Sequence, residues 1–234
     1  MNDYNRNRVV IKLSGSVFNI LDNQTTAEVL RQYSSMLVHI NKTVQPVVVA
    51  GGGKIARYYI QIARKLGLDE SSLDLIGIDI SRLNAKLLIS SLGDHAYPNV
   101  PKSLDEISNF IVSNKIIISG GLHPGQSTNA TSALIAEKIR AKEFINATDV
   151  EGIYDMDPRN NHTAKLFDKI TLNKCLDMLS DRSSMAGEYD LMDIVALKVI
   201  ERSKINTRVI LSSPENIINT IEGKQYKGTE LILK

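Results

Sequence analysis

Tryptophan is absent from this chain and aromatic residues make up only 5% of it, so the stacked aromatic platform that holds unpaired bases is not expected. Cysteine occurs once, at Cys175, which excludes an internal disulfide. No Cys/His group has metal-ligand spacing, so no protein-side metal site is expected, and Cys175 reads as a buried packing residue. Charge of one sign is also lacking: 28 Lys and Arg face 26 Asp and Glu, a formal +2 without any basic run. That balance argues against a nucleic-acid or membrane-surface partner. No apolar stretch reaches the length of a membrane span, and Met1 to Arg8 is polar where a secretory leader would be apolar. The expectation is a cytoplasmic protein. The standard nucleotide signatures are missing too. Gly53-Lys54 is followed by Ile55 rather than Ser or Thr, and the glycines do not match the dinucleotide fingerprint.

What is present is a regular alternation. Short runs rich in Val and Ile at Val9–Leu13, Pro46–Ala50, Lys115–Ser119, Glu143–Ala147 and Thr207–Leu211 read as buried strands. Helical patterns lie between them at Thr26–Ile40, Lys54–Leu66, Leu73–Leu92, Asn129–Arg140 and Asp193–Lys204. This order predicts a single α/β domain over 1–234, a three-layer α/β/α sandwich with a mostly parallel central sheet. Thr229–Leu233 is expected as a last strand, antiparallel and at an edge, and Asp155–Lys165 as a polar surface excursion.

Three of the strands end in glycine: Ser14-Gly15-Ser16, Gly51-Gly52-Gly53 and Gly120-Gly121. Ligands of open α/β sheets bind beyond the carboxyl ends of the strands, so the three loops point to a phosphate-rich ligand held by separate loops. Glycine lets backbone N–H groups approach an anion, and a following helix N-terminus adds unpaired N–H groups and partial positive charge. Arg57 would add a forked donor. The competing reading of Gly51–Gly53 is a tight strand–helix turn without a ligand. Lys12, ending a buried strand, either snorkels to solvent or neutralises charge on a phosphoryl group in transfer. Ser127 and Thr128 suit an N-cap, or a substrate phosphate at the same helix start. Thr148 to Asp157 reads as a solvated acidic turn, or as contacts to a ribose, an adenine or a metal-bound phosphate.

Taken in order, Lys12–Ser16, Gly51–Gly53 with Arg57, and Thr148–Tyr154 followed by Asp157-Pro158 resemble the amino-acid kinase superfamily. Asp74–Ile78 leading to Arg82–Ala85, and Gly120–Thr128, are similar to the archaeal-type uridylate (UMP) kinases within it. The resemblance runs from Val9 to Leu233. It implies transfer of the γ-phosphoryl group of ATP, with Mg²⁺, to UMP, and assembly of copies into a hexamer. It implies ATP contacts at Gly15, Ser16, Gly53, Arg57, Thr148, Asp149, Tyr154 and Asp157. It implies UMP contacts at Gly52, Asp74 and the run Leu122, His123, Pro124, Gly125, Gln126, Ser127 and Thr128. Lys12 and Arg57 would neutralise charge at the transfer point. Asp193 would position Lys12, or serve only as a helix cap. Rival readings are another kinase of the superfamily acting on a carboxylate, carbamate or isoprenoid phosphate, and a non-catalytic nucleotide-binding protein.

Overall fold

Consecutive buried Val and Ile in the strands require cover on both sides of the sheet, and the computed structural model provides it. The structure describes residues 6–19, 23–180 and 192–233, so the first five residues of the polar N-terminal stretch lie outside it. Seven strands form one sheet: β1 (Arg8–Leu13), β2 (Gln45–Ala50), β3 (Ile117–Ser119), β4 (Glu143–Thr148), β5 (Lys169–Thr171), β6 (Asn206–Leu211) and β7 (Gly228–Ile232). Their spatial order is β3-β2-β1-β4-β6-β7-β5. The five strands expected from sequence are all present and run parallel to one another. β7 is antiparallel to β6, as expected, but it is not an edge. The three-residue β5 pairs outside it, in parallel. β5 is too short to carry a readable period, which is why the sequence pattern misses it.

Eight helices are described: α1 (Asn23–Ile40), α2 (Gly53–Lys65), α3 (Glu70–Leu92), α4 (Leu104–Phe110), α5 (Thr128–Lys138), α6 (Leu172–Ser180), α7 (Ile194–Ser203) and α8 (Pro214–Ile221). α4, α6 and α8 are seven to nine residues long and were not expected. α3 starts three residues earlier than its apolar pattern because Asp69 caps it, accepting from Ser72 N–H at 3.1 Å.

Alternating strand residues feed two cores. Val9, Ile11, Val48, Ile118 and Ile145 pack on one face with Leu37 of α1, Leu88 of α3 and Ile217 of α8. Val10, Val47, Val49, Phe144 and Val209 pack on the other with Ile107 of α4, Ile135 of α5, Cys175 of α6 and Leu197 of α7. These are the three layers of the expected sandwich. The parallel order also brings the carboxyl ends of β1, β2, β3 and β4 together, with Lys12 in register between Val49 of β2 and Asn146 of β4.

Candidate active site

The first two glycine loops are packed backbone to backbone. A Cβ on Gly15 would lie 2.1 Å from Gly53 N and 2.3 Å from Gly53 Cα, and one on Gly53 would lie 2.4 Å from Gly15 O. Gly53 also adopts φ +68°, which a side chain resists. Ser14 N–H donates to Ala147 O at 3.0 Å and Gly51 N–H to Leu13 O at 3.1 Å, tying the ends of three strands together. Gly15 and Ser16 begin a short 3₁₀ turn (Gly15–Phe18) whose Val17 and Phe18 are buried. The glycines are therefore required first by contact between the two loops.

α2 begins at this junction without a side-chain cap, with Gly52 at its N-cap position. Asn19 Oδ1 accepts from Lys54 N–H at 3.3 Å. Arg57, one turn in, is exposed and makes no ion pair with the described residues. A helix start with a glycine at its N-cap and an uncommitted guanidinium suit a phosphate site.

α3 organises the third loop. Ser81 Oγ accepts from Gly121 N–H at 2.8 Å, and Arg82 donates to Gly121 O at 3.1 Å and Leu122 O at 3.2 Å. A Cβ on Gly120 would meet Ser81 Oγ at 2.6 Å and Arg82 N at 2.7 Å, so this pair too is glycine for close packing. Asn84, buried on the same helix, donates to Gly51 O at 2.8 Å. Asp74 Oδ2 accepts from Gly125 N–H at 2.7 Å. Thus α3 holds both the second and the third loop. His123, Pro124 and Gly125 are exposed at the loop's tip, Leu122 is buried, and Gln126 Oε1 is buried without a partner among the described residues.

The loop ends in Ser127, which caps α5 by accepting from the N–H groups of Asn129 and Ala130, each at 3.0 Å. Thr128 is the first residue of α5, half-buried. Ser127 Oγ also donates to Asp193 Oδ2, while Asp193 Oδ1 caps α7 by accepting from Ala196 N–H at 2.8 Å. Asp193 is therefore a helix cap joined to the third loop. Burial lowers the Lys12 ammonium to about 8, and the charge of Asp149 partly offsets that.

Beyond β4, Thr148 Oγ1 donates to Val150 O at 2.9 Å, a turn that leaves Asp149 exposed. Tyr154 OH donates to Glu151 Oε2 at 3.4 Å, and burial with that neighbouring charge raises the phenol's pKa. Asp157 is engaged within its own loop: Oδ1 accepts from Arg159 N–H at 3.0 Å and Arg159 Nε at 3.1 Å, and Oδ2 from Asn160 Nδ2 at 3.2 Å. The Asp155–Lys165 segment is the expected surface excursion, closed at its base by Asp155 N–H to Lys165 O at 3.1 Å and Lys165 N–H to Asp155 Oδ1 at 2.8 Å.

The model of the amino acid kinase family matches residues 7–211. The chain belongs to that family. Among relatives of this amino acid kinase, a uridylate kinase from Methanobrevibacter smithii is 39% identical over 228 residues, spanning 97% of this chain and 100% of that one. A uridylate kinase from Sulfurisphaera tokodaii is 42% identical over 221 residues, 93% of this chain and 96% of that one. The crystal structure of the Archaeoglobus fulgidus uridylate kinase has a TM-score of 0.83 and 40% identity, covering 96% of this chain and 99% of that chain. The UMP kinase of Ureaplasma parvum, at 24% identity and a TM-score of 0.77 over 97% of this chain and 98% of that chain, shares the fold.

Sequence reasoning about this amino acid kinase missed Asn19, Ser81, Asn84 and Arg159. The first three act on backbone groups distant in sequence, and no local spacing marks such a bond. Arg159 had a usable signal, a cation directly after Asp157-Pro158 in an acidic stretch.

Proposed function

We propose that this chain is a uridylate kinase that transfers the γ-phosphoryl group of ATP to UMP, giving UDP and ADP. The observation that carries the reading is near-full-length similarity, at about two residues in five, to uridylate kinases, in a chain that keeps a glycine-led helix start, an unpaired Arg57 and a half-buried Lys12 at one sheet edge.

ATP is the phosphate donor. Its phosphates lie over Gly15, Ser16 and Gly53, and its adenosine portion against Thr148, Asp149, Tyr154 and Asp157. UMP lies against Gly52 and Leu122–Thr128, and the free oxygen of Asp74 accepts from its ribose hydroxyls. Gln126 Oε1, buried without a partner, supplies an acceptor suited to a ligand N–H. The acceptor phosphate oxygen is already charged, so transfer is in-line without a general base or a covalent intermediate. Lys12 and Arg57 neutralise the charge that builds on the transferring group. Asp193 sets the Ser127 end of the acceptor loop.

Mg²⁺ is proposed as the metal that accompanies ATP and screens phosphate charge when bound. No three His, Cys, Asp or Glu side chains converge as a metal site among the described residues. A cation of this kind keeps several waters and is carried on substrate phosphates rather than in a protein cage.

Among the described residues no helix is long and apolar enough to cross a membrane, and a cytoplasmic single-domain enzyme is proposed. Self-association toward a hexamer is supported by an apolar stripe on α3 that is half-buried at Ile76 and Ile80 and exposed at Leu83 and Leu87. Ile76, Ile80, Leu83 and Leu87 follow 4-3-4 spacing, with Leu83 54% and Leu87 48% exposed. In an antiparallel pairing with a second copy, Ile76 meets Leu87 and Ile80 meets Leu83, while Asp79 of one copy nears Lys86 of the other.

The test is ADP formation from ATP and Mg²⁺ with UMP, CMP, dUMP, acetylglutamate, aspartate and isopentenyl phosphate offered separately. Turnover with UMP is expected. Turnover confined to another acceptor overturns the substrate assignment, and ATP binding without turnover overturns the enzyme.

A further inference from the structure

Arg159 stands between two carboxylates that the proposed function assigns to ATP. Its Nε and backbone N–H both reach Asp157 Oδ1, so Asp157 holds the arginine to the loop around it. Its Nη1 lies 3.8 Å from Asp149 Oδ2, across from the excursion to the turn after β4. Both side chains of that second pair are half exposed, so the contact is weak and exchangeable in water. Asp149 also faces Lys12 electrostatically. One carboxylate thus pairs with Arg159 and is also felt by Lys12, from a different part of the chain.

That is the arrangement expected of a site that binds a polyanion and holds a side-chain anion in its place beforehand. A triphosphate brings several negative charges and planar oxygen pairs, and a guanidinium fork prefers these to a monodentate contact at 3.8 Å. The excursion is suited to follow. It is closed at its base by Asp155 and Lys165, while Asn160 N–H and Asn161 N–H bond to Asp157 O and Asn161 Oδ1 accepts from Thr163, so it moves as a unit with Arg159 attached.

We propose that Arg159 is a positioning residue for the donor nucleotide: its guanidinium leaves Asp149 for the phosphates of bound ATP and draws the 155–165 excursion over the nucleotide. The proposal rests on the assignment of ATP to Gly15, Gly53 and Thr148–Tyr154. Asp149 is then the anion that holds the guanidinium beforehand and the docking point of the loop, and Asp157 keeps Arg159 attached to that loop.

The test compares the full-length enzyme with Arg159→Gln and Arg159→Lys. Arg159→Gln is expected to raise KM for ATP about 10-fold, as loss of one charged hydrogen-bonded contact does. KM for UMP is expected to stay at the wild-type value, and Arg159→Lys to recover part of the loss. Hydrogen exchange supplies the second readout. A non-hydrolysable ATP analogue should slow exchange across 155–165 in the wild type and not in Arg159→Gln, while protecting Gly15–Ser16 and 148–154 in both. An unchanged KM for ATP, or protection of 155–165 that persists in Arg159→Gln, overturns the role of Arg159. Absence of protection at both Gly15–Ser16 and 148–154 in the wild type overturns the ATP assignment itself, and this inference with it.

Discussion

Lys12 carries an electrostatic cost that the proposed role at the phosphoryl group would explain. Burial lowers its folded pKa to about 8 from 10.5, so between those values the folded chain binds fewer protons than the unfolded one. The penalty for the buried charge is fully present below about 8 and disappears as pH rises toward 10.5, which amounts to on the order of 3 kcal/mol at neutral pH. Lys12→Met is therefore expected to raise the Tm of the ligand-free protein at pH 7 while lowering kcat about 100-fold or more. Calorimetry and steady-state kinetics check the two halves. In the wild type, kcat/KM for ATP should fall above pH 8, and kcat should hold to higher pH because bound phosphates restore the ammonium's pKa. Glycine replacements separate two causes. Gly15→Ala puts a Cβ 2.1 Å from Gly53 N, which forces the loops apart and should cost more than about 2 kcal/mol and nearly all activity. Gly125→Ala meets nothing within 4 Å and pays only for φ +75°, about 1 kcal/mol by denaturant titration. Cys175 is buried and its thiol is pushed up to about 11 by burial, so it should react with a thiol reagent at neutral pH only on unfolding.

α3 is the element on which the acceptor side depends. It presents Asp74, Ser81, Arg82 and Asn84 to two loops, and four side chains on a rigid helix fix those loops better than the loops fix themselves. Asn84→Ala removes the donor to Gly51 O and should cost about 1–3 kcal/mol and raise KM for both nucleotides. Asp74→Ala frees the Gly125 end of the third loop and should raise KM for UMP at least 10-fold with a smaller change in kcat, as loss of a binding contact does. The sequence pattern finds α3 by its apolar spacing and extracts Asp74 from the family resemblance. It does not reveal Ser81 or Asn84, whose partners lie more than thirty residues away in the chain.

On the scale of the whole molecule, the same helix turns its Leu83 and Leu87 outward, so the proposed self-association and the acceptor-loop geometry would share one element. Leu83→Glu with Leu87→Glu is expected to reduce the assembly seen by light scattering to a smaller species without loss of the fold, and unchanged mass would remove α3 as the interface. The sequence by itself determined the five parallel strands and the glycine-rich edge of the sheet at which they end. Those follow from hydrophobic runs and glycine-rich strand ends, which are local and periodic. Tertiary structure alone decided that β5 covers β7, because three residues carry no period. It also decided that the glycines of loops one and two serve each other, that Asp193 joins Ser127, and that Asp149 faces Lys12 and Arg159. Each of these is a meeting of groups far apart in the chain. Residue type sets what such groups can bind, and only packing sets which of them come together.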